Sequence, residues 1–174
     1  MIVGRDNLLK MFPEFKNDIA ENGIDLRVGH IYEIVESPNQ IGCIDDVKML
    51  PDNELVKLTK EDDCCSYYEL KPDTFYSVEI DRPIHIPDGY CQLYKIRSTF
   101  ARCGLLLLSA VGDNDFNGTL RFGLKNLTNQ PIFIGENERI VQAVTFANDG
   151  TASSYDGSYQ NDKIFDRGNN GLEW

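Results

Sequence analysis

Two short blocks hold the residue types that chemistry on a phosphorylated small molecule would need. Arg97-Ser-Thr-Phe-Ala-Arg-Cys-Gly-Leu105 is a basic, hydroxyl-bearing loop that runs into an apolar stretch. Gly112-Asp-Asn-Asp-Phe-Asn-Gly118 is a turn carrying two carboxylates and an aromatic ring, and it leads into another strand. A guanidinium offers several fixed donors to phosphate oxygens, and a positioned carboxylate can take a proton from water. Side by side, the two blocks suit hydrolysis or rearrangement of a phosphate-bearing substrate. Taken singly, each has a plainer reading. Asp and Asn favour hairpin turns for backbone reasons, and Arg97-Ser98-Thr99 would serve equally as a surface loop.

The chain's charge agrees with a small anionic ligand and argues against a nucleic-acid polymer. Net charge is −11 over 174 residues, whereas binding a phosphate backbone calls for a basic face. Residues 91–145 depart from that balance, with six cations (Lys95, Arg97, Arg102, Arg121, Lys125, Arg139) against four carboxylates. No apolar run approaches the ~20 residues of a membrane span, so no membrane partner is expected. Met1-Ile-Val-Gly-Arg-Asp6 lacks the apolar core of a signal peptide, and a cytoplasmic location is expected. The five cysteines (43, 64, 65, 91 and 103) form no Cys-x-x-Cys. They read as reduced structural thiols rather than a zinc site.

Length predicts one domain with its own core. A short N-terminal helix is expected over 6–16, with Asp6 as N-cap and Pro13 ending or kinking it. Gly23-Ile-Asp-Leu-Arg-Val-Gly29 alternates apolar and charged residues like a half-buried strand, continued by residues 31–35. Asp25 and Arg27, on its polar face, read as a cross-strand ion pair. Residues 36–66 read as loops around short strands such as 56–58, with no chemistry of their own. From Tyr67 onward, turn signals recur every 8–12 residues and separate strands at 75–80, 90–96, 105–110, 119–125, 131–134 and 140–146. That spacing predicts an all-β sandwich or barrel. From residue 148 the composition turns to Gly, Ser, Asn and Asp with Tyr155, Tyr159, Phe165 and Trp174 set in it. Such a segment makes no core alone and is expected to be an arm that orders against another surface.

In this order the blocks resemble the motifs of the dCTP deaminase and dUTPase superfamily. Residues 97–105 look like its Arg-Ser-Ser-Leu-Ala-Arg-x-Gly-Leu signature, and Gly23-Ile-Asp-Leu-Arg-Val-Gly29 resembles the first motif. Asp113-Asn-Asp-Phe-Asn-Gly118 resembles Asp-x-Asp-Tyr-x-Gly, and Arg139-Ile-Val-Gln142 resembles Arg-Ile-x-Gln. Tyr155-Asp-Gly-Ser-Tyr-Gln160 resembles the Tyr-x-Gly-Lys-Tyr-Gln of a deaminase-type C-terminal arm. Five ordered blocks span nearly the whole chain.

The resemblance implies a distorted antiparallel β-barrel of jelly-roll type over 1–148, with a C-terminal arm over 149–174 that orders over the active site. It also implies a homotrimer with intersubunit active sites. The family's deaminases work without zinc, through a glutamate on the strand after the third motif. Here that position falls on Gly123, and the strand (119–125) has no carboxylate. The resemblance therefore implies a dUTP diphosphatase, with Asp113 activating water for attack on the α-phosphorus. Ser98 and Arg102 would complete the catalytic set. Arg97, Ser98, Phe116, Gln142, Tyr155, Tyr159 and Gln160 would bind the deoxynucleoside triphosphate, with Phe116 packing on the deoxyribose. Mg²⁺ would come as a chelate of the triphosphate, with no metal site in the protein. A dCTP deaminase, alone or bifunctional, and a non-catalytic nucleotide-binding homologue are the alternatives. Two departures stand out: Ser158 replaces the arm's phosphate-binding lysine, and Asn137 replaces a turn glycine at little structural cost, since asparagine tolerates positive φ.

Overall fold

The computed structural model describes residues 1–37, 41–45, 47–61 and 65–163. Cys64, Phe165 and Trp174, together with the tail beyond 163, lie outside the described residues. Helix α1 (Arg5–Met11) begins one residue before Asp6, with Gly4 as its N-cap. Asp6 therefore sits in the first turn, where its charge complements the helix dipole instead of capping it. Pro13 ends the helix as expected and opens a 3-10 turn, Pro13–Phe15. Leu8, Phe12 and Phe15 are buried and seat this segment on the barrel.

Fourteen strands follow among the described residues. The first five are β1 (Ile24–Ile34), β2 (Gly42–Ile44), β3 (Val47–Met49), β4 (Asn53–Leu55) and β5 (Thr59–Glu61). Next come β6 (Cys65–Leu70), β7 (Phe75–Ile80), β8 (Ile84–His85), β9 (Tyr90–Ile96) and β10 (Leu105–Leu108). The last four are β11 (Asn117–Gly118), β12 (Arg121–Asn126), β13 (Ile132–Gly135) and β14 (Arg139–Ala147). The segment 56–58, expected as a strand, instead links β4 to β5. Three-residue strands offer too few alternating positions for a period-2 pattern to locate them.

A seven-stranded antiparallel sheet, in the order β10-β12-β7-β1-β14-β9 with β4 also on β1, curls until its edges approach. A bridge between Gln92 and Gly112 joins β9 to the segment after β10, giving a nearly closed β-barrel. The expected all-β barrel with a short N-terminal helix is what the chain forms. Strand β1 spans both halves of the barrel, pairing with β14 from Ile24 and with β7 up to Glu33. The crossing falls at Gly29, where a Cβ would lie 2.7 Å from the Ile80 carbonyl oxygen. Only glycine lets the two backbones come this close. Register shifts on either side of the crossing bend the strand.

The alternation read from the sequence becomes the core. Ile24, Leu26 and Ile31 of β1, Tyr76 and Val78 of β7, and Leu124 of β12 are all buried. Each such side chain stabilises the fold by about 1.5–3 kcal/mol before entropy is counted. The four described cysteines are free thiols. No helix among the described residues is long and apolar enough to cross a membrane.

Candidate active site

The first block meets β1 and β14 on one side of the barrel. Asp25 is 2% exposed and lies opposite Gln142 in the β1–β14 register. Its carboxylate accepts hydrogen bonds from Arg97, from Gln142 Nε2 at 3.2 Å and from Arg139 at 3.5 Å. A carboxylate this deep is tolerable only when charge and donors surround it. Asp25 and Arg27 do not pair with each other: Arg27 Nε donates to Asp18 at 2.7 Å. The two carboxylates thus serve different guanidiniums, Asp25 those of Arg97 and Arg139 and Asp18 those of Arg27 and Arg82.

Arg97 follows β9, and its N–H donates to the Ile140 carbonyl at 2.9 Å. It caps a one-turn helix, α2 (Ser98–Arg102), anchored by buried Phe100. Ser98 and Arg102, four residues apart, share a helix face and are exposed. Gly104 ends the turn at φ +85°, and a Cβ there would meet the Thr128 methyl at 2.5 Å. Asn137, in the turn before β14, does adopt φ +60°.

The second block forms a separate structure. Asp113 and Phe116 line a cavity of about 540 Å³ with Phe75, Tyr94, Tyr155 and Tyr159. Asp113 is exposed, and its carboxylate makes no hydrogen bond among the described residues. Tyr94 is 5% exposed and donates to Gln92 Oε1 at 3.2 Å. Burial, reinforced by the nearby Asp113 charge, pushes its phenol well above the ordinary value, so it stays a hydroxyl.

The turn's other members hold it in shape. Asn114, 5% exposed, accepts from the Gly89 N–H at 2.6 Å and donates to Asp88 at 3.0 Å. Asp115 adopts φ +60° and meets His85 Nε2 at 3.0 Å. That bond, followed by one from Ser154, holds the Asp115 carboxyl below the usual range.

Along β12 and the residues just before it, Leu120, Phe122 and Leu124 are buried, and residues 119–123 all line the cavity. A Cβ at Gly123 would stand 2.9 Å from the Phe75 ring and 3.1 Å from Leu108 Cβ. The ring occupies the space that a side chain at 123 would need. Arg121 is held by Glu79 at 2.7 Å and lies over the Tyr32 ring at 4.7 Å.

The arm lies along the hairpin of its own chain. The Tyr155 N–H donates to the Asn114 carbonyl at 2.8 Å, and its ring packs 5.9 Å from that of Phe116. Gln160 bridges the turn, accepting from the Asn117 N–H at 2.8 Å and donating to the Asp115 carbonyl at 2.9 Å. Asp162 accepts from the N–H and hydroxyl of Thr119 at 2.6 and 3.0 Å.

The site residues named from the sequence therefore fall into two groups. Asp113, Phe116, Tyr155 and Tyr159 line the cavity, and Gln160 braces its hairpin. Arg97 and Gln142 belong to the Asp25 cluster, Ser98 and Arg102 lie on the adjoining α2, and none of the four lines the cavity. On β9, Gln92 pairs with Gly112, and Arg97 lies five residues further on. At strand rise that offset is about 16 Å along the chain. Among the described residues no group of three or more His, Cys, Asp or Glu could hold a metal ion.

Several contributors escaped sequence reasoning. Leu50, Pro51 and Asn53, from the stretch given no chemistry, line the cavity. Lys48 of β3 donates to Ser158 at 2.8 Å and lies 4.8 Å from the Tyr159 ring centre. Asp25 was signalled by a lone carboxylate among apolar strand positions, although its partners were not. Lys48 carries no local signal, because its contact spans 110 residues.

Comparison with known proteins follows this geometry. A family model described as dCTP deaminase-like matches residues 5–148. A probable deoxyuridine 5'-triphosphate nucleotidohydrolase of Methanothermobacter thermautotrophicus is 40% identical over 160 residues, covering 92% of this chain and 99% of that protein. A dCTP deaminase of Pyrobaculum aerophilum is 27% identical over 92% of each chain. The crystal structure of 2'-deoxycytidine 5'-triphosphate deaminase from Agrobacterium tumefaciens superposes with a TM-score of 0.60 at 14% identity. That match covers 84% of this chain and about half, 48%, of the other, and it shows the shared fold.

Proposed function

The chain belongs to the dCTP deaminase-like family, and from that premise we propose that it is a dUTP diphosphatase, converting dUTP and water to dUMP and pyrophosphate. The observation that carries this reading is Gly123. The part of β12 that lines the cavity bears no carboxylate, and the Phe75 ring fills the room for one. Proton shuttling at a pyrimidine base has no group there to perform it. The Asp113 carboxylate, exposed and with no hydrogen bond among the described residues, remains available to water.

In the proposed reaction Asp113 accepts a proton from a water molecule as the water oxygen bonds to the α-phosphorus. The bond from that phosphorus to the bridging oxygen breaks, and pyrophosphate leaves. Proton transfer by a positioned carboxylate contributes about 10²–10⁴ in rate. Phe116 and Tyr155 would pack on the sugar, leaving little room for a 2'-hydroxyl. Asp25 spends one N–H of Arg97 on orientation. The other donors of Arg97, with Ser98, Arg102 and Gln142, would clasp phosphate oxygens. Mg²⁺ would arrive on the triphosphate, held by substrate oxygens and water. There it would neutralise charge on the leaving group.

The offset between the two groups along β9 supports a composite site, in which the Asp25–Arg97 cluster of one copy faces the hairpin of another in a homotrimer. Leu93, Leu106, Leu108 and Val111 are 41–52% exposed. Together they give a surface that association would bury.

The test is incubation with each deoxynucleoside triphosphate and Mg²⁺, with pyrophosphate and ammonia assayed separately and the assembly state measured by light scattering. Pyrophosphate from dUTP without ammonia from dCTP is the expected result. Ammonia from dCTP would favour the deaminase reading that some relatives' names carry. Tight dUTP binding without turnover by an assembled protein would favour a nucleotide-binding homologue.

A further inference from the structure

The hairpin of β2 and β3 places one ammonium beside Tyr159, a wall of the Asp113 cavity. Lys48 reaches the arm, donating one hydrogen bond to Ser158 Oγ at 2.8 Å and lying over the Tyr159 ring. An ammonium has three donors, and among the described residues Ser158 takes one and no carboxylate pairs with it. Two other basic side chains lining or adjoining the cavity are already committed, Arg121 to Glu79 and His85 to Asp115.

The surroundings make that lone charge consequential. Asp113 lies in the cavity wall and Asp115 in the adjoining turn, within a chain of net charge −11. A polyanion entering beside these carboxylates meets repulsion that a nearby cation helps to offset. The aromatic walls suit the apolar faces of a nucleoside, which leaves the phosphates for the polar mouth.

We propose that Lys48 is a phosphate-binding residue. With the arm closed, its ammonium holds an oxygen of the outer phosphates, while Ser158 and Tyr159 hold the ammonium in place. This rests on the reading of the cavity as a nucleotide site. The α-phosphate would lie near Asp113 and the outer phosphates nearer the mouth, so the contact distinguishes a triphosphate from a monophosphate. It also makes arm closure respond to ligand charge, because the group that meets the phosphate is the one the arm touches.

The experiment is calorimetric titration of the full chain with the non-hydrolysable α,β-imido analogue of dUTP and with dUMP. Lys48→Met keeps the aliphatic stem against Tyr159 and removes the charge, and Lys48→Arg restores charge. For Lys48→Met the triphosphate Kd is expected to rise about tenfold, the loss of one charge-assisted contact, with dUMP affinity changed less than about twofold. Lys48→Arg should recover most of the loss. Unchanged triphosphate binding by Lys48→Met would overturn the proposal. Equal weakening for both ligands would also overturn it, since that marks a residue that only steadies the arm. A wild-type protein that binds neither ligand would instead remove the nucleotide reading itself.

Discussion

The Asp25 cluster and the Asp113 hairpin carry comparable numbers of functional groups, but they are built on opposite principles. Around Asp25 every partner comes from three adjacent strands or their ends, so the ladder that forms the barrel also sets the guanidiniums. Around Asp113 the neighbours come from a turn, the short strands β8 and β11 and the arm, joined largely by side-chain hydrogen bonds. The first is pre-organised by folding and is costly to disturb. The second is assembled from pieces that folding alone holds loosely, and its disturbance should show in turnover before stability. On the proposed reading, binding charge falls to the rigid region, and chemistry and closure to the adjustable one.

Substitutions at the two carboxylates test that division most severely. Asp113→Asn should lower kcat by about 10²–10⁴ with nucleotide affinity and melting temperature near wild type, read by pyrophosphate release and thermal denaturation. A stability loss at Asp113 as large as that at Asp25 would break the comparison. Asp25→Ala strips the shared partner from Arg97, Arg139 and Gln142 and should cost about 2–3 kcal/mol. For a chain this size that is roughly 5–10 °C in melting temperature. The guanidiniums are partly exposed and can turn to water, so the loss should stay below that of a fully buried pair.

Smaller changes sharpen the contrast within the hairpin. Gln160→Ala removes both bridges to the turn and should raise KM for dUTP roughly fivefold, about 1 kcal/mol, while leaving the melting temperature nearly unchanged. The smallest expected effect is in pH. Asp115 has a folded-state pKa lowered first by His85 and then by Ser154. Its contribution to arm docking is therefore present above the ordinary carboxylate value near 4 and is lost as pH falls through the lower, folded value. Limited proteolysis of the arm should be flat from neutral pH down to about pH 5 and accelerate only in stronger acid.

What the sequence disclosed follows the same line. Strands such as 75–80 and 90–96 match the structure residue for residue, because alternation and turn residues are local signals. The membership of Asp113, Phe116 and Tyr155 in one cavity was legible only through motif order, since nothing local joins residue 116 to residue 155. Asp25 was misread as the partner of Arg27 because a strand pattern shows which face a residue takes and not which neighbour reaches it. The stretch 36–66 hid both its short strands and Lys48. Three-residue strands have no usable period, and a contact across 110 residues leaves no trace in either segment.

The spacing along β9 has a genetic consequence. If the catalytic hairpin and the Arg97 cluster of one copy serve different sites, a copy damaged at Asp113 and a copy damaged at Arg97 fail for unrelated reasons. Co-expressed, the two defective alleles would meet in mixed assemblies where an intact hairpin faces an intact cluster, and a fraction of sites would regain turnover. Neither allele would be a simple loss, because each still lends its undamaged half to its neighbour.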